Sequence, residues 1–180
     1  TGWLAIFYTQ IRLVAAKRRD IHRQLGVWGF ALAVLIIPLA YLTATHAIAR
    51  GTHPPIIDAE SWSVVPLMAL PPMILMLVMG WRNRMDPQAH KRFMLLFTLM
   101  TVEPGVGRWP IFPPVMAGHV AGGLVAFAFV IPLILWDRKT IGGLHWATKW
   151  GLGALIFGYF VRYPIWALGF WPDVVRVLPY

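Results

Sequence analysis

Six histidines and seven carboxylates are the groups of this chain that could ligate a metal, hold a cofactor or move a proton, and cysteine is absent. Without thiols there is no disulfide, no iron–sulfur ligation and no thiol chemistry. His22, His90 and His145 each stand at the start of an apolar run, where with Asp20 and Asp86 they could converge on a divalent transition ion. None of them has a close diagnostic partner such as HxxxH. The plainer reading makes them helix caps and contacts to lipid phosphate at the headgroup boundary. His46 and His119 fall at about the same depth in two other runs. Two imidazoles facing each other across a bundle are the axial pair of a b-type haem or another tetrapyrrole, and Gly118, Gly122 and Gly123 would leave room for the macrocycle. Its counterpart is a hydrogen bond from each histidine to a neighbouring helix. Glu103, the lone acid of its run, lies at the same end of the helices as Arg108 and Arg162. A structural ion pair of Glu103 with Arg162 or Arg108 is favoured over a proton or anion site, because a single acid makes no relay.

Enzyme signatures are missing. Ser61 and Ser63 are the only serines, and no His or Asp stands beside them in a triad context. Phosphate-cradling GxxxxGK[ST] and dinucleotide GxGxxG strings are absent, since Gly105-Val106-Gly107 has neither the third glycine nor a preceding strand. No catalytic residue is assigned and a non-enzymatic protein is expected.

The elements that carry these residues are long and apolar. A hydrophobic fraction of 58% with 13% charged residues does not suit a surface facing water. A helix rising ~1.5 Å per residue needs about 20 apolar residues to cross a hydrocarbon core. Five stretches meet that length, at 25–49, 61–81, 90–106, 115–136 and 146–168, and 1–16 reads as the latter part of another crossing. The expected fold is an all-α polytopic transmembrane bundle forming one domain, with five full helices and a partial N-terminal one. Thr1-Gly2-Trp3 is no signal peptide, and residues upstream are expected.

Charge orients the bundle. Lys17, Arg18, Arg19 and Arg23 precede the first full run, Arg82, Arg84, Lys91 and Arg92 lie between the second and third, and Arg138, Lys139 and Lys149 lie between the fourth and fifth. Basic connections are retained in the cytoplasm, so these three share that side and the C-terminus is periplasmic. Such short basic blocks read as topology signals and contacts to anionic lipid, so the net charge of +9 implies no nucleic-acid partner. Trp81, Trp136, Trp146 and Trp150 mark the inner boundary, and Trp62, Trp109 and Trp171 the outer one. Asp86-Pro87 is a cap residue followed by proline at a first helical position. Pro38, Pro66, Pro71, Pro72 and Pro132 predict kinks. Gly118, Gly122 and Ala126, with Gly151, Ala154 and Gly158, are small residues at helical spacing and predict close packing of the last two runs on each other or on a partner subunit.

Asp20-Ile21-His22-Arg23-Gln24-Leu25-Gly26 resembles the HRxLG helix start of a group of uncharacterised multi-pass bacterial inner-membrane proteins. Ala89-His90-Lys91-Arg92-Phe93-Met94-Leu95-Leu96 is similar to their later AHKR(L/F)MLL helix start, Gly107-Arg108-Trp109-Pro110 to the small-Arg-x-Pro turn after it, and His145-Trp146-Ala147-Thr148 to a His-x-x-Thr start. The resemblance implies a bacterial inner-membrane location and a helical fold, and it carries no activity. The expected role is that of a membrane subunit or accessory protein packing against other membrane proteins and lipid, with a respiratory or photosynthetic complex as the candidate setting. A haem-binding electron carrier is the alternative, and a small transporter, for which a helix broken near Pro71-Pro72 is the support, the second alternative.

Overall fold

The structure, a computed structural model, describes residues 2–54, 57–106, 109 and 119–179, without the side chains of residues 119 and 121. Among these residues every regular element is helical and there is no strand. The chain divides into two compact units, Thr1–Ala40 and Tyr41–Tyr180.

The first unit is a helical hairpin of α1 (Gly2–Ala15) and the greater part of α2 (Arg19–Ala49). The two are joined at Lys17, whose φ of 58° lies in the left-handed region and turns the chain back. α2 starts at Arg19, ahead of the expected Leu25. Asp20 in its first turn suits the positive end of the helix dipole, and Arg18 pairs with Asp20 at 3.2 Å. Gly29 lets the hairpin close, since a Cβ there would come within 2.9 Å of Ile6 Cγ2. Trp3 is buried and stacks on Phe7.

The second unit is built around α5 (Pro87–Val106), which packs against α4 (Val64–Arg82), α6 (His119–Ile141) and α7 (Trp146–Ile156). Asp86 caps α5: its Oδ1 accepts the N–H groups of Gln88 and Ala89 at 2.9 and 3.2 Å, with Pro87 at the first helical position. Phe93, Leu96 and Phe97 of α5, Met76 of α4, Val130 of α6 and Leu155 of α7 are buried together as its apolar core. Beyond α7 the helix widens into a π segment, Phe157–Val161, and resumes as α8 (Arg162–Ala167), so the run expected at 146–168 is one helical path with an irregular middle. The run expected at 61–81 is two helices, α3 (Ala59–Trp62) and α4, parted at Ser63, whose hydroxyl donates to the Glu60 carbonyl at 2.5 Å. Asp58 caps α3 by accepting the Ser61 N–H at 2.8 Å, and that bond holds its carboxyl below the usual carboxylate range. α9 (Trp171–Val175) folds back on α3: the Trp171 indole donates to the Ser63 hydroxyl at 3.0 Å and Arg176 pairs with Glu60 at 2.8 Å. Val175 is buried there with Leu67 and with Ala44 and Ile48 of the last turns of α2.

By length and composition, two stretches of the described residues suffice to cross a membrane, Arg19–Ala49 and Ala59–Arg82, against the five expected. The difference has a physical cause. α5 carries Lys91, Arg92 and Glu103, and the α7–π–α8 path carries Lys149 and Arg162 and is divided into short pieces, so neither is apolar enough when taken alone. Residues 115–118, the expected start of the fourth run, lie outside the described residues.

Candidate functional site

Among the described residues the charged groups buried in the second unit form two clusters, one toward each end of α5. At its N-terminal end Arg92, 1% exposed, meets Asp137 of α6, 0% exposed. The Arg92 Nε donates to Asp137 Oδ1 at 3.1 Å and Nη2 donates to the same oxygen, while Nη1 donates to the carbonyl and to the side-chain oxygen of Gln88 at 2.7 and 2.9 Å. The second carboxylate oxygen, Oδ2, accepts the Thr148 hydroxyl at 2.5 Å and the backbone N–H of His145 at 3.0 Å. Asp137 sits in the last turn of α6, where the helix dipole disfavours an anion. Its charge is therefore stabilised by Arg92 and by the start of α7. His145 completes the turn as the cap of α7, its Nδ1 accepting the Ala147 N–H at 3.1 Å. One carboxylate thus joins three helices. With its oxygens and the guanidinium all engaged, the cluster is equipped to hold helices and has no idle group for proton transfer.

At the other end both terminal nitrogens of Arg162 donate to Glu103 Oε1 at 3.2 Å. The guanidinium carbon also stands 4.9 Å from the centre of the Tyr159 ring and 5.7 Å from that of Tyr163, within cation–π range. The π segment carries Tyr159 and delivers Arg162 to this position; such widened turns are frequent where a helix must place side chains irregularly. Gly122 and Gly123 admit α6. A Cβ on Gly122 would lie 2.5 Å from Glu103 Cγ and 2.9 Å from the Glu103 carbonyl oxygen, and one on Gly123 would lie 3.1 Å from the Tyr159 ring. Arg108, the other candidate partner of Glu103, lies outside the described residues.

The remaining predicted residues are dispersed. His90 lies beside the Gly80 carbonyl at 2.8 Å; a carbonyl only accepts, so Nδ1 carries the proton and ties α5 to α4. His145 is the α7 cap. His22 belongs to the first unit, where Gln10, with its amide turned to donate, meets the His22 ring and carbonyl. Asp86 is engaged as the α5 cap and Asp20 pairs with Arg18 at the surface. Among the described residues no three His, Asp or Glu side chains gather in a geometry that could hold a metal ion. His46 is exposed in the last turn of α2, while His119 opens α6 with its side chain outside the description, as is all of Gly118. The small residues of α7 lie on its packed face. Gly151 is pressed against Leu96, Ala154 is buried, and a Cβ on Gly158 would lie 3.0 Å from Pro72 and 3.2 Å from Met100.

Arg92 with Asp137 is the pair that sequence reasoning overlooked, because Arg92 reads there as a topology signal. A signal does exist. Asp137 follows an apolar run directly and falls where a helix end disfavours a negative charge, so it calls for a cation from elsewhere. No protein-family model, no curated protein and no solved structure matches this chain.

Proposed function

We propose that the chain is a polytopic membrane protein of the bacterial inner membrane, a non-catalytic subunit or accessory protein whose apolar outer faces meet lipid and the helices of other membrane proteins. The observation that carries this reading is the apolar outer face of α6, set against a charge buried on its inner face. Its outward residues include Leu124, Phe129, Ile131, Leu135 and Trp136, with Leu124 66% and Phe129 60% exposed, whereas its inward face carries Gly122, Gly123, Ala126, Val130 and Leu133 and ends in the charged Asp137. A helix of a water-soluble protein is apolar inside and polar outside. In lipid, small inner residues give close packing, and buried charges occur as pairs. Trp81, Trp136, Trp146 and Trp150 are all exposed, as headgroup-level indoles would be.

In this reading α5, α6 and the α7–π–α8 path cross the membrane together with the two apolar stretches, which makes five crossings, and α1 is a sixth, partial one. Their charges are matched within the bundle by the two buried pairs. The basic starts of α2 and α5 and the α6–α7 turn face the cytoplasm, and the C-terminus faces the periplasm. The test is membrane fractionation followed by purification in mild detergent, with mass spectrometry of co-migrating chains. Retention in the membrane after alkaline wash and a stoichiometric co-purifying membrane protein are expected. A chain that stays in solution without detergent overturns the membrane assignment, and a chain that runs alone overturns the subunit assignment.

A further inference from the structure

α4 and α7 part at the Pro71-Pro72 step and leave an apolar groove of about 490 Å³, walled by Pro71, Pro72 and Leu75 on one side and by Gly153, Ala154 and Phe157 on the other. Two observations mark it as more than loose packing. Gly151 and Gly158 of the same helical path are required by their neighbours, but a Cβ on Gly153 would meet nothing within 4 Å, so the groove is open at that position. At the end of the groove nearer the α7 N-terminus stand Lys149 and the exposed Trp150. Lys149 lies inside α7, and among the described residues no carboxylate pairs with its ammonium.

We infer that the groove binds one anionic phospholipid of the cytoplasmic leaflet, with an acyl chain between Pro71-Pro72 and Gly153, and the phosphate on Lys149. The inference rests on the membrane reading above. From Lys149 to Phe157 the helix rises about 12 Å, at ~1.5 Å per residue, enough for the upper half of an acyl chain. The stem of Lys149 can run along the apolar wall with its ammonium at the headgroup level, where Trp150 supplies the indole of an interfacial anchor. The unmatched cation selects an anionic lipid over a zwitterionic one, in keeping with the chain's net charge of +9.

Native mass spectrometry of the whole chain, released from vesicles of phosphatidylcholine with or without phosphatidylglycerol, tests the assignment. One phosphatidylglycerol per chain is expected to survive activation that strips phosphatidylcholine. Lys149→Gln should weaken its retention about fivefold, the contribution of one cation near a lipid surface. Gly153→Leu should abolish retention by filling the groove, while Lys139→Gln leaves it unchanged, and circular dichroism verifies that each variant keeps its helices. Equal retention of both lipids, or retention indifferent to Lys149→Gln and Gly153→Leu, overturns the proposal. So does a dimer free of lipid that Gly153→Leu dissociates, since the occupant is then a second copy. A chain that never enters the vesicles overturns the membrane reading itself, whereas a chain that enters them without a bound anionic lipid overturns only this inference.

Discussion

Asp137→Ala removes the carboxylate on which α5, α6 and α7 converge. The lost acceptors leave the guanidinium of Arg92 with Gln88 alone and strand the hydroxyl of Thr148 and the N–H of His145. Breaking a buried pair by deleting one partner costs about 3–5 kcal/mol, because the surviving charge stays out of water without compensation. Against a total stability of about 5–15 kcal/mol this is a large fraction. At about 2–4 °C per kcal/mol for a chain of this length, it lowers the melting temperature by about 6–20 °C. Thermal unfolding of the detergent-solubilised protein, followed by far-ultraviolet circular dichroism or tryptophan emission, reads the shift. Arg92→Met should cost a similar amount. The double variant Arg92→Met/Asp137→Leu should recover most of the loss, since no charge is then left alone. If either single change costs less than about 1 kcal/mol, or if the double variant is as unstable as the sum of the singles, the pair does not join the three helices as described.

Gly151→Ala should destabilise by about 1–3 kcal/mol through contact with Leu96, and Leu96→Ala in the same chain should relieve the clash, whereas Gly153→Ala should be neutral; equal costs at the two glycines would refute the packing described for α7. Because the chain has no native cysteine, single cysteines introduced at Met85 and His53 can be labelled directly. An impermeant maleimide should reach His53→Cys from outside intact cells and Met85→Cys only after the membrane is opened, and the reverse pattern would invert the proposed orientation. Asp58 is held below its usual pKa by the Ser61 N–H, so its capping contribution is present above the unfolded carboxylate range and fades as pH falls through the lower folded value. The stability difference between the wild type and Asp58→Ala should therefore close on acidification, and a difference independent of pH would exclude the cap.

The helices were largely readable from hydropathy because their ends carry local chemistry. Asp86-Pro87 starts α5 by a capping bond that needs only residues three apart, and the apolar run before Asp137 lies within α6. The break at Ser63 and the π segment at Phe157–Val161 escape a hydropathy reading, because each is a local change of helical path inside one continuous run. Charge pairing is readable only where candidates are few. Glu103 is the lone acid in its run, so Arg108 and Arg162 are the nearby cations; Arg162 is found on it, and Arg108 lies outside the described residues. Arg92 and Asp137 are 45 residues apart, and Arg92 stands beside His90 and Lys91 in what reads as one basic block. Nothing local separates the buried guanidinium from the exposed Lys91 beside it. Only the packing of α5 between α6 and α7 does so.

If the chain crosses a membrane as proposed, the buried pairs also bear on how it gets there. α5 carries one charge for each pair, and its partners are synthesised 45 and 59 residues later. A charged side chain costs about 2.5–3.5 kcal/mol on insertion at the centre of a lone helix and less toward its ends, where Arg92 and Glu103 stand. At about 5–20 residues per second, α5 must wait about 3–12 s for the second of its partners to leave the ribosome. On the proposed five-crossing arrangement, α5 would have to be sheltered during that interval, and α5, α6 and the α7–π–α8 path would enter the bilayer as one group.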